Sequence, residues 1–159
     1  MKIKLVVIAI LCIATNYVNA QSYSTAIGVK GGYSFYSGGG LNIKHDFGGL
    51  YGDFTLGGGR NYFSFSAIAE KQNELSGGLE WYLGIGGYIN SWRNGYTYYH
   101  KDKFYNDAWN FGALGVIGIE YTFNELPINI GIDAGPAVSI VPYFGVGFGG
   151  SGFIRFAIK

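Results

Sequence analysis

Cysteine is almost missing from this chain: Cys12 is the only one, so no disulfide can form within it. Charge is scarce at 13% of residues, and the formal net charge is only +1, which leaves no basic excess for nucleic acid. Histidine occurs only at His45 and His100, too thinly for a clustered metal or acid–base centre. Beyond the N-terminal region no run approaches the roughly 18 apolar residues of a membrane-spanning helix.

Glycine and aromatic residues are plentiful: Gly is 28 of 159, and Phe, Trp and Tyr together make 18%. The aromatics exclude a disordered chain, which would be poor in them and rich in charge. Dense glycine argues against helices, since each costs about 0.5–1 kcal/mol against alanine there. The first residues form a separate pattern. Lys2 and Lys4 make a positive start, residues 5–13 are apolar, and Val18-Asn19-Ala20 resembles a cleavage site. This is the layout of a secretory signal peptide over residues 1–20, with cleavage after Ala20 and a mature domain at 21–159. Cys12 follows Ile10-Leu11, where a lipoprotein signal would carry a small residue, so lipid attachment is disfavoured. Once Lys2 and Lys4 leave, the formal charge of +1 falls to −1.

Period-2 alternation dominates the rest. Ile128, Ile130, Ile132, Ala134 and Val138 share one face, with Asn129, Gly131, Asp133, Gly135 and Ser139 on the other. Leu79, Trp81, Leu83, Ile85 and Ile89 oppose Glu80, Tyr82, Gly84, Gly86 and Asn90. The pattern predicts eight strands at about 24–33, 40–46, 49–58, 61–71, 78–90, 109–123, 127–140 and 150–159. Most have the length that a tilted strand needs to cross a bilayer. The expected fold is all-β: an eight-stranded antiparallel up-and-down transmembrane β-barrel behind a cleavable signal peptide. An even strand number puts both termini on one side, the periplasm for an exported barrel. Residues 46–48, 71–77 and 124–126 then become periplasmic turns, and 33–39, 58–60, 91–108 and 141–149 external loops. Pro136 falls inside a strand and predicts a bulge there.

The competing architecture is a soluble barrel of the lipocalin kind, apolar inside and charged outside. Here one face holds large apolar side chains with hardly any charge, while the other holds Gly, Ser, Asn and single charges. A soluble surface would carry about 25–35% charged residues. The inverted pattern favours lipid outside and a filled lumen inside. Trp81, Tyr121 and Phe123 fall at one rim and Trp92 and Trp109 at the other, as girdle aromatics do.

At this level the chain resembles the small OmpA/OmpX-like eight-stranded outer-membrane β-barrels of Bacteroidetes-type bacteria. The likeness rests on Leu41-Asn42-Ile43-Lys44-His45, on the stretch from Gly78 through Trp81 to Gly87, on Gly118-Ile119-Glu120-Tyr121-Thr122-Phe123 followed by Leu126-Pro127, on the Asp133 to Pro136 strand, and on the terminal run from Phe153 to Lys159. Such barrels usually finish on an aromatic residue, whereas Phe156 is the last one here. The resemblance implies a place in the outer membrane of a Gram-negative bacterium more than an activity.

The candidate site is a lumenal charge network on the polar faces: Lys30, Lys44, Asp53, Glu70, Glu80, Glu120, Asp133 and Arg155. Unpaired charges in a narrow interior are costly, so these should pair into a rigid plug rather than line an ion path. Arg155 is expected to meet Glu120 and Glu80. A candidate external binding loop carries Trp92, Arg93, Tyr96, Tyr98, Tyr99, Lys101, Lys103, Phe104 and Tyr105. Aromatics with Arg suit recognition, and they also brace extended hairpins. Ser64 and Ser66 face the lumen with Glu70, but no lumenal histidine accompanies them as a nucleophile would require. The run from Gly145 to Gly150 formally matches G-x-G-x-x-G, yet no helix follows to bind phosphate, so it reads as a glycine-rich loop. The expected function is a non-enzymatic structural or surface-binding barrel, without cofactor or metal, monomeric, in contact with outer-membrane lipid and an extracellular ligand or surface partner. A narrow pore for ions or small solutes is the first alternative and a lipid-modifying enzyme the second.

Overall fold

The computed structural model describes residues 23–33, 39–92, 98–100, 103–105, 109–142 and 144–158. The described elements are all strands: β1 (Thr25–Tyr33), β2 (Gly40–Asp46), β3 (Tyr51–Gly59), β4 (Tyr62–Ser76), β5 (Leu79–Trp92), β6 (Tyr98–His100), β7 (Lys103–Tyr105), β8 (Trp109–Thr122), β9 (Ile128–Val141) and β10 (Gly145–Ile158). Eight of them close an antiparallel barrel in the order β1-β10-β9-β8-β5-β4-β3-β2, and β6 with β7 forms a separate two-stranded hairpin. Closure gives every barrel strand a neighbour on both sides and leaves no free sheet edge along the wall. The start of β1 meets the end of β10 at Thr25↔Ile158, so both ends of the barrel chain share one rim. This rim is called the terminal end below, and the opposite one the loop end.

The pairing is staggered. One row of partners runs Ala26, Lys44, Asp53, Ile68, Gly86, Leu114, Ala137 and Gly147 around the wall. Gly147 lies beyond Gly150, the residue opposite Tyr33, so the row returns past the loop end of β1. Such a stagger is the register of tilted strands.

Turn chemistry explains where the strands stop. Gly77 and Gly78, with φ of 54° and 89°, join β4 to β5 in a two-residue connection that only glycine accepts easily. β4 therefore runs to Ser76, past the end expected from the sequence, where the polar run from Lys71 to Glu74 breaks the alternation. Between β2 and β3, Asp46 Oδ1 accepts hydrogen bonds from the amides of Gly48 (2.8 Å) and Gly49 (2.7 Å).

Two expectations need correction. Pro136 makes no bulge: pairing on β10 continues through Phe148↔Pro136, and on β8 it resumes in the same register from Leu114↔Ala137 to Ile117↔Ala134. Its ring faces outward, and the irregularity between β8 and β9 falls at Phe111/Gly112 instead. The glycine-rich run from Gly145 to Gly150 is strand, not loop: Val146 and Phe148 point outward, and the intervening glycines face in. Part of the long loop is itself a hairpin, as its aromatics also suggested: Tyr98↔Tyr105 and Tyr99↔Phe104 pair across β6 and β7.

Candidate functional site

The two faces of the wall are inverted relative to a water-soluble barrel. Outward positions hold exposed Ile85, Ile117, Ile132, Val146 and Phe148, among many others. Within the described barrel strands, Lys71 near the terminal rim is the sole charged residue at an outward position. The charges lie inside. Lys30, Lys44, Asp53, Glu70, Glu120, Asp133 and Arg155 are all at most 5% exposed.

Aromatic rings fill space between the walls, among them Tyr82, Phe153 and Tyr88. Tyr82 is fully buried opposite Gly118, and a Cβ at Gly118 would collide with its ring. Phe153 lies beneath the Arg155 guanidinium, whose carbon is 3.6 Å from the ring centroid. Lys44 Nζ stands 4.4 Å from the Tyr82 centroid. Both cations thus gain an aromatic face besides their carboxylates.

Arg155 is the crosspiece. Its Nη2 donates to Asp53 Oδ2 at 2.5 Å, and its Nη1 donates to Glu120 Oε2 at 3.3 Å and to Asn129 Oδ1 at 3.2 Å. Its Nε donates to Asn42 Oδ1. Gly28 stands between Arg155 and Asn42 in the register, and having no side chain it leaves the guanidinium a path across. The partnership expected with Glu120 is present, and that with Glu80 is not. Glu80 is half-buried, directly opposite Glu120 in register but one strand further from Arg155, while the tilt brings Asp53 to the guanidinium.

Two lysines complete the network. Lys44 Nζ lies 2.7 Å from Glu70 Oε2 and 2.8 Å from Glu120 Oε2. Lys30 Nζ lies 2.8 Å from Asp133 Oδ2 and 3.3 Å from Asp53 Oδ2. Asp133 also accepts from Tyr82 (3.0 Å) and Ser151 (2.5 Å). Asn42 Nδ2 donates to Asp53 Oδ1 at 2.7 Å. Glu120 takes further hydrogen bonds from Tyr23 and from Gln72, both at 2.6 Å on Oε1. Sequence parity placed the charged residues on the inner face, but it missed Asn42, Asn129, Gln72 and Tyr23. The asparagines carried a signal, since they share the inward parity of Lys44 and Asp133 on their own strands. Tyr23 carried none, because it precedes the first strand.

Above this network the interior changes character. Along β4 the inward residues run Glu70, Ile68, Ser66, Ser64 toward the loop end; along β8 they run Glu120, Gly118, Val116, Leu114, Gly112, Asn110. On β4, β8 and β9 an apolar layer of Ile68, Leu114, Val116 and Ala137 therefore lies between the charges and a neutral group of Ser64, Ser66, Asn90, Asn110 and Ser139. The arrangement can hold the walls together and resist water.

The other candidates do not come together. Ser64 and Ser66 lie inside the barrel, whereas His45 lies at an outward position near the terminal end, its Nδ1 2.8 Å from Thr25 Oγ1. Among the described residues no group of three or more His, Cys, Asp and Glu could hold a metal ion. Of the loop set, Trp92 ends β5, Tyr98 and Tyr99 lie on β6, and Lys103, Phe104 and Tyr105 lie on β7. Arg93, Tyr96 and Lys101 fall outside the described residues, as does the whole segment 1–20. No protein-family model, curated protein or solved structure matches this chain.

Proposed function

We propose that this chain is an outer-membrane β-barrel of a Gram-negative bacterium, exported with its signal peptide removed after Ala20. On this reading it works as a monomeric structural or surface-binding protein through its loop-end segments, not as an enzyme. The observation that carries it is the inversion of faces, with Arg, Lys, Asp and Glu sealed inside and Leu, Ile and Phe turned out. In water such an apolar belt would be an aggregation surface far larger than monomers tolerate. In lipid it is the solvent-matched face, and closure satisfies the backbone groups that lipid cannot.

The dimensions support the same reading. Outward positions on β8 run from Trp109 to Tyr121 without a charge. At about 3.4 Å per residue this is about 40 Å of strand, or about 30 Å along the axis at a tilt near 40°. A bilayer's hydrocarbon core is about 30 Å thick. Aromatic pairs sit at both rims: Trp109 stacks on Phe111 at one, and Tyr121 meets Phe123 edge-on at 4.9 Å at the other. The resemblance to small OmpA/OmpX-like barrels points the same way. The filled interior favours a closed barrel over a pore, and the β6–β7 hairpin, which follows β5 and precedes β8 in the chain where those strands meet at the loop end, supports an extracellular ligand or surface partner meeting the barrel there.

The decisive experiment is membrane fractionation with a heat-modifiability gel. The chain is expected in the outer-membrane fraction, starting at Gln21 and migrating faster before boiling; a soluble periplasmic monomer would overturn the proposal. As a second measurement, Ile117→Arg should destabilise the barrel in lipid vesicles by about 2–4 kcal/mol, the cost of a cation at mid-bilayer. A barrel meant for water would tolerate an arginine at that exposed position.

A further inference from the structure

Tyr23 precedes β1, yet its side chain turns into the barrel and is only 4% exposed. Its ring packs edge-on against Tyr51, the first residue of β3, with centroids 6.2 Å apart. Its hydroxyl donates to Glu120 Oε1 on β8 at 2.6 Å. The backbone beside it is pinned from both sides. The Ser24 amide donates to the Ile158 carbonyl at 3.1 Å, and the Ser24 carbonyl accepts from the Asp46 amide at 2.9 Å. The inward turn is therefore held by β10 and β2, while the ring rests on β3 and the hydroxyl on β8.

Glu120 is the node of the interior, since its other oxygen faces both Lys44 and Arg155. Lys44 Nζ in turn lies 5.3 Å from the centroid of Tyr51, the ring that Tyr23 sits on. Burial, and next the Glu120 carboxylate, push the Tyr23 phenol up, so its hydroxyl remains a donor across the ordinary pH range.

We propose that Tyr23 is a stopper that closes the terminal-end mouth of the barrel, seated on Tyr51 and locked to Glu120, and shields the ion-pair network behind it from solvent on that side. On β4, β8 and β9 the apolar layer of Ile68, Leu114, Val116 and Ala137 follows the network toward the loop end. Tyr51 and Glu120 belong to strands far apart in the chain, so the stopper can seat only when the barrel is closed. It makes Tyr23, two residues before β1, a part of the interior. The inference concerns the closed barrel itself and does not depend on where the barrel resides.

A chain from residue 21 onward has no cysteine, so a single introduced thiol reports access. Thr122→Cys places it at the inward, 5% exposed end of β8, next to the mouth. Ser139→Cys places a second reporter in the neutral loop-end half. Each is labelled with a charged methanethiosulfonate on the folded protein in detergent micelles. Tyr23→Ala should speed labelling at residue 122 by about tenfold or more, because it removes both the ring seated on Tyr51 and the charge-assisted hydrogen bond to Glu120 from the opening equilibrium. Tyr23→Phe, which keeps the ring and loses the lock, should fall between. Labelling at residue 139 should not change. Equal rates at residue 122 with and without the Tyr23 ring would overturn the proposal, and so would equal acceleration at both reporters, which is general loosening. Should Tyr23→Ala fail to fold, Tyr23→Phe decides, and an unchanged rate at residue 122 overturns the lock to Glu120.

Discussion

On the terminal side of the Ile68, Leu114, Val116 and Ala137 layer, side chains cross the barrel to meet: Arg155 on β10 reaches Asp53 on β3 and Glu120 on β8. On the loop side, the contact between Ser139 and Asn110 joins neighbours in the sheet, with Ser139 on β9 donating to Asn110 on β8 at 3.3 Å. The first half is built around long charged side chains, the second from neutral ones. Charges in a low-dielectric interior hold only when every partner is present, so the terminal half is one interdependent unit. Neutral hydrogen bonds between adjacent strands add little beyond the backbone ladder, so a contact such as Ser139 to Asn110 is nearly independent of the rest.

The strongest way to break this contrast is Arg155→Ala. It leaves Asp53 and Glu120 buried without their shared cation and should lower the unfolding free energy in detergent by about 3–5 kcal/mol. Lys71→Ala, at an exposed position, should change it by less than about 0.5 kcal/mol. Equal denaturation midpoints for the two would show that the interior network does not hold the barrel. Gly28→Ala should come next. Its new Cβ would strike the Ile154 carbonyl and the Arg155 backbone and obstruct the path of the guanidinium to Asn42. Overpacking of this kind costs about 1–3 kcal/mol, and the same midpoint measurement reads it. Combining Gly28→Ala with Arg155→Ala sharpens the test, because the two losses should be less than additive if they act through the same crossing. Among the inward positions the smallest effect belongs to the loop half. Ser139→Ala removes its hydrogen bond to Asn110 and should cost about 1 kcal/mol or less by the same unfolding curve.

Much of this was legible beforehand in particular residues. The parity of Ser64, Ser66 and Glu70 against Phe63 and Phe65 oriented β4, and that of Arg155 against Ile154 and Phe156 oriented β10; the structure puts each on its expected side. The bulge expected at Pro136 failed for a local reason. The ladder spans the missing amide without inserting a residue, since pairing with β8 resumes beyond it in the same register. The start of β10 was read five residues late because glycine at every inward position hides the alternation that Val146 and Phe148 provide.

Strand number, wall orientation and the inward set of charges follow from the sequence by itself, because a pleated strand assigns each residue to a face by parity alone. Which charge meets which does not follow, because parity says nothing of height. The choice of Asp53 over Glu80 as the partner of Arg155, and the entry of Tyr23 into the mouth, were decided only by tertiary structure. The stagger of the closed barrel sets the level of each strand against the others, and residues far apart in the chain meet only once that stagger is fixed.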